Sequence, residues 1–114
     1  MKTSELTGIS LDWAVAKCEG LTQENGWTDL ELFNSARCGG FYHYSTDWEL
    51  GGPILERERV HLMACIDKSN WIAEIDHPVT VIHGTTPLQA AMRCYVASKL
   101  GGEVNLPKEL LNIA

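Results

Sequence analysis

The sequence predicts an α+β fold: two main helices, at about 8–19 and 87–100, pack on a small antiparallel β-sheet at about 60–83, in an α/β sandwich-like arrangement. Three observations predict it. Thr7 and Thr86 stand as caps ahead of apolar residues spaced by three and four, and glycines follow both stretches. Between them, residues 60–83 are rich in β-branched and apolar side chains broken by turn residues. Apolar residues make up 45% and charged residues 21% of 114, ordinary globular values, so one domain spanning 1–114 with one modest core is expected.

The first helix has Thr7 as N-cap, with Leu6 before the cap and Leu11 inside the helix placed as a hydrophobic staple. Leu11, Ala14, Val15 and Cys18 form its stripe, widened by Trp13, and Gly20 suits a left-handed end. Residues 21–46 lack sustained periodicity. Six of the nine aromatics (Trp27, Phe33, Phe41, Tyr42, Tyr44, Trp48) fall between positions 27 and 48, a density that suits anchoring in the core. Ser45-Thr46-Asp47 reads as a capping cluster opening a helical stretch to about Glu58. Gly51-Gly52-Pro53 predicts a break there, giving two short pieces, 47–51 and 53–58, because proline lacks a donor and crowds the preceding turn.

Val60 to Ile66 predicts a first strand, Asp67 to Asn70 a turn and Trp71 to Ile75 its partner. His77-Pro78 turns the chain again, and Val79 to Ile82 supplies a third strand. The last helix carries a Thr86-x-x-Gln89 capping box with Pro87 at its first position, where a missing N–H costs nothing. Leu88, Ala91, Met92, Tyr95, Val96 and Leu100 make its stripe, with Arg93 and Lys99 expected on the opposite side. Pro107 to Leu111 predicts a final helical turn.

Charge narrows the partners. Nine Lys and Arg against 15 Asp and Glu give −6, and residues 1–60 hold ten acids against five bases. Such a balance disfavours direct binding to nucleic acid or an anionic membrane, which both need clustered cations. The order helix, three strands, helix also describes the double-stranded-RNA-binding domain, yet the last helix has no basic residue before Arg93. No stretch reaches the length of a membrane span, and no secretory leader is expected from the N-terminal pattern. Cys18, Cys38, Cys65 and Cys94 form no CxxC pair and read as reduced, mostly buried thiols. No metal or cofactor is expected: Cys38 and His43, five residues apart, have no matching pair at metal-ligand spacing. Cys65 and His61, four apart on a strand, stand about 13 Å from each other and fail as a nucleophile–base pair.

Four blocks carry a family likeness: Thr7 to Gly20 (TGISLDWAVAKCEG), Tyr44 to Glu58 (YSTDWELGGPILERE), Trp71 with Ala73, and Thr85 to Ser98 (TTPLQAAMRCYVAS). They resemble the small NinX-like proteins of tailed bacteriophages and prophages over nearly the whole chain. More loosely, the STD block with a hairpin and a TPL-type helix is similar to the phage α–β–α sandwich domain. The resemblance implies a small phage accessory protein in the cytoplasm of a bacterial host, and it brings no catalytic or binding residues with it.

The functional expectation is a non-enzymatic interaction module whose partner is a host or phage protein. Its contact surface would be the segment 39–53, with Tyr42, Tyr44, Asp47 and Trp48. One alternative is a small ligand-binding or enzymatic domain using the loop before the last helix, with Asp47, His83 and Thr85, since helix N-termini favour anions. A second is an acidic nucleic-acid mimic that inhibits a host enzyme, which needs carboxylates in ordered rows. Homodimerisation is possible through an exposed strand edge or aromatic patch.

Overall fold

The computed structural model describes residues 1–20, 43–67 and 69–106. The expected final turn at Pro107 to Leu111, and most of the aromatic segment including Tyr42, lie outside them. The described residues form three helices and a three-stranded antiparallel sheet, a mixed α+β fold. The helices are α1 (Gly8–Cys18), α2 (Trp48–Arg57) and α3 (Pro87–Leu100); the strands are β1 (His61–Ala64), β2 (Trp71–Asp76) and β3 (Val79–Gly84).

Helix α1 starts where the sequence places it. The Thr7 N–H donates to Ser10 Oγ at 3.2 Å, and the Ser10 hydroxyl donates back to the Thr7 carbonyl at 2.7 Å, closing the first turn. Leu6 and Leu11 are fully buried on either side of that cap. The expected stripe is exceeded, because every residue from Ser10 to Ala16 is buried. The cause is double coverage: α3 packs against α1, and the Ser45 N–H reaches the Asp12 carboxylate at 2.8 Å.

Helix α2 corrects the expected break. One helix runs through Gly51-Gly52-Pro53, capped by the Asp47 carboxylate, which accepts from the Glu49 N–H at 2.9 Å. Proline at this depth removes one internal hydrogen bond, and tertiary packing outweighs that loss. Gly51 is needed for contact rather than for a break: a Cβ there would stand 2.5 Å from the Tyr44 carbonyl and 2.7 Å from Leu88 Cδ1. The helix ends through Arg59, at φ +53°, with the Val60 N–H donating to the Leu55 carbonyl at 3.0 Å.

Strand β1 is shorter than the apolar run Val60 to Ile66. The Cys65 N–H turns to the Asn70 carbonyl at 2.9 Å, and Asp67 accepts from the Ser69 N–H at 3.0 Å to close the loop. A cis His77–Pro78 peptide joins β2 to β3. The register aligns Leu62, Ala73 and Ile82 across one face, and Met63, Ile72 and His83 across the other. Ala73, Ile75, Ile82 and Gly84 are buried, whereas Met63, Val79, Val81 and His83 are exposed, so the sheet has one packed and one open face among the described residues.

Helix α3 is the hub. It contacts all three strands, and α1 and α2 both pack on it. Its cap is made by the Gln89 N–H donating to Thr86 Oγ1 at 3.0 Å, while Gln89 Oε1 accepts from the Thr85 N–H at 2.8 Å, one residue earlier than a simple box would have it. Arg93 stands off the apolar stripe as the spacing predicts, yet it is only 9% exposed, because the N-terminal turn Thr3–Glu5 covers that side of α3. The turn is tied down by the Thr3 N–H and hydroxyl, which donate to the Gly102 and Gly101 carbonyls at 2.9 and 2.7 Å.

Where the three helices converge, charge is tightly paired. Arg57 grips Glu19 with two bonds of 3.2 and 2.7 Å and reaches Glu58 at 2.9 Å; Lys99 pairs with Glu58 at 3.2 Å; and the Tyr95 hydroxyl donates to Glu19 at 2.5 Å. Burial alone would raise both carboxyls, but bonds from Arg57 and Tyr95 at Glu19, and from Arg57 and Lys99 at Glu58, outweigh it and hold them below the ordinary glutamate range. Their stabilisation is therefore complete above the ordinary pKa and is lost as pH falls through the depressed folded values. Tyr95→Phe should cost about 1.5 kcal/mol at neutral pH and reduce this acid-sensitive part, measured as melts from neutral pH down through the carboxylate range.

Candidate functional site

Two clefts flank the turn that leads from β3 into α3. The first, about 230 Å³, is lined by Ser45, Thr46 and Trp48 on one side and Thr86, Pro87 and Leu88 on the other. It exists because the N-terminal ends of α2 and α3 meet there, brought together by Gly51 against Leu88. The second, about 360 Å³, is lined by Ser4, Asn70, Val81, Ile82, His83, Gly84, Thr85 and Arg93. It lies between the N-terminal turn, the β1–β2 loop and the end of β3.

The six residues singled out in the sequence thus divide. Trp48 is 53% exposed and lines the first cleft. Asp47 stands beside it with its carboxylate engaged in capping α2. Tyr44 is a correction: it is 8% exposed and belongs to the core, since the neighbouring Gly51 lets α2 close over its backbone. His83 and Thr85 line the second cleft together, and Asp47 is not among its lining residues. Both the Thr85 N–H and its hydroxyl donate to Gln89 Oε1, at 2.8 and 3.0 Å.

Sequence reasoning missed Arg93, Ser4 and Asn70. One signal for Arg93 was present: it is the lone cation in the otherwise uncharged run Leu88 to Val96. Its Nε–H donates to the Leu6 carbonyl at 2.7 Å and an Nη1–H to the His83 carbonyl at 3.0 Å. Burial pulls its pKa down, with no carboxylate against it to oppose that among the described residues.

Other chemistry is muted. Burial pushes the Cys18 thiol up to about 12 and the Cys94 thiol up to about 11, so neither is a thiolate at neutral pH. His61 pairs with Asp76 at 3.3 Å on the open sheet face. Among the described residues no three His, Cys, Asp or Glu side chains gather as a metal-ligand set. None of the described helices is long and apolar enough to cross a membrane.

The family model described as bacteriophage P22, NinX, matches residues 2–99, a span that includes both clefts and every residue lining them. The chain belongs to the NinX family. No curated protein matches it. NinX is a bacteriophage family, which makes this NinX chain a phage accessory protein.

Proposed function

We propose that this NinX protein acts in the bacterial host cytoplasm as a non-enzymatic binding module, and that its Trp48 face takes a basic segment of a host or phage protein. The observation that carries the reading is Trp48: it is 53% exposed and lines a groove, while Ser45 beside it in that groove is buried. A large aromatic held at the rim of a preformed groove is the side chain most able to anchor a partner. Asp47 and Glu49 flank it in sequence, and Glu56 is exposed about two turns farther along α2. Lysine or arginine stacked on the indole and paired with these carboxylates would meet both features.

The nucleic-acid-mimic alternative has less support. Asp12 is buried, and Glu19 and Glu58 are engaged by Arg57 and Lys99, which removes three first-half carboxylates from any ordered row.

The test is affinity capture from host lysate with the wild-type chain and with Trp48→Ala, followed by affinity measurement on the purified partner. Trp48→Ala should weaken binding at least tenfold, and added salt should weaken wild-type binding. Equal affinity of the two chains, or a wild-type chain that retains nothing, overturns the reading.

A further inference from the structure

The second cleft has a property that protein docking at Trp48 does not use: a buried cation with no counter-ion among the described residues. Arg93 is 9% exposed, and its two hydrogen-bond partners are neutral carbonyls, those of Leu6 and His83. A guanidinium has five N–H groups, so three remain beyond these two bonds. The chain has 15 carboxylates, yet none among the described residues pairs with Arg93. A desolvated charge left unpaired is costly, and folded proteins normally supply a mate.

The surroundings point the same way. Arg93 forms part of the wall of a cavity of about 360 Å³, within the size range of small-molecule sites. Ser4, Asn70 and His83 line it too, and their side chains make no hydrogen bond among the described residues. Hydroxyl, amide and imidazole are all able to donate. Val81 and Ile82 add an apolar wall, and α3 begins three residues beyond Gly84 with the positive end of its dipole nearby. The first cleft shares none of these lining residues.

We propose that this cavity binds a small molecule through a phosphate or carboxylate group, with Arg93 as the counter-charge and Ser4, Asn70 and His83 as neutral donors. The anion takes the place that a carboxylate would otherwise hold beside Arg93. A planar guanidinium fork suits either group.

Amide NMR titrations of the full chain with inorganic phosphate, with acetate and with chloride, at matched ionic strength, test the site. Phosphate or acetate should shift the amides of Ser4, Asn70, His83 and Thr85 saturably, and chloride should not. Response to phosphate alone assigns a phosphoryl ligand, and response to acetate alone a carboxylate. Arg93→Lys, which keeps the charge and loses the fork, should weaken binding at least tenfold. Should that variant fold poorly, Ser4→Ala and Asn70→Ala decide, each weakening binding several-fold with an otherwise unchanged spectrum. Trp48→Ala should bind the anion as the wild type does, which separates this site from the protein-binding face. Shifts no larger than those with chloride, saturable shifts confined elsewhere, or rim variants that bind like wild type overturn the proposal.

Discussion

Gly84→Ala should lower the unfolding free energy by about 3 kcal/mol, the upper part of the usual range for overpacking. The added Cβ would stand 2.5 Å from the Ala90 nitrogen, 2.8 Å from its Cα and 3.0 Å from its Cβ. Two of these are main-chain atoms of α3, so no rotamer change relieves the clash. The helix itself must move away from β3, along with the Arg93 bond to the His83 carbonyl. Urea titration measures the loss, and Gly52→Ala is the control. At that position a Cβ meets only Trp48 Cε3, at 3.9 Å, so alanine should gain about 0.5–1 kcal/mol from helix propensity. Similar effects at both glycines would contradict this account of how α3 is seated.

Asp12 carries the second large effect. Burial raises its carboxyl above the ordinary aspartate range, against the lowering influence of Ser45 and of His43, whose ring nitrogen is 3.9 Å away. The folded state therefore holds a proton there more readily than the unfolded one. The associated stability is complete below the ordinary pKa and is lost as pH rises through the folded value, opposite in sign to Glu19 and Glu58. Asp12→Asn should abolish that loss. It keeps an acceptor for the Ser45 N–H, which donates to the Asp12 carboxylate at 2.8 Å. Asp12→Ala should instead destabilise by about 2 kcal/mol, because the Ser45 N–H is orphaned. Thermal melts at neutral and mildly acidic pH distinguish the two: asparagine above wild type at neutral pH, alanine below.

The elements legible in the sequence are those whose evidence is local. Thr86, Pro87 and Gln89 mark the start of α3 and Gly101, at φ +88°, its end, and the helix occupies 87–100 as the spacing predicts. The hairpin signals at 67–70 and 77–78 likewise lie between the observed strands. What was not legible depends on which surface covers which. Gly51-Gly52-Pro53 has the local chemistry of a break, and only the approach of Leu88 and Tyr44 turns Gly51 into a packing position. Arg93 sits off the apolar stripe, so its burial depends on a turn 87 residues away, where the Leu6 carbonyl waits for it. Of the candidate residues, His83 and Thr85 were found through their place before a helix, and Trp48 through aromatic clustering. Tyr44 came from the same cluster and is core, since composition does not say which way a ring faces.

The hub position of α3 also sets an order of assembly. Its sheet contacts come from β1, β2 and β3, which immediately precede it, so they close over short stretches of chain. Contacts from α1 and from the Thr3–Glu5 turn close loops of roughly the whole chain, which costs more entropy before any reward. The 61–100 unit is therefore expected to form first, with the N-terminal turn and α1 docking late. In that order the Arg93 cavity, which needs Ser4 from that turn, is completed only at the end.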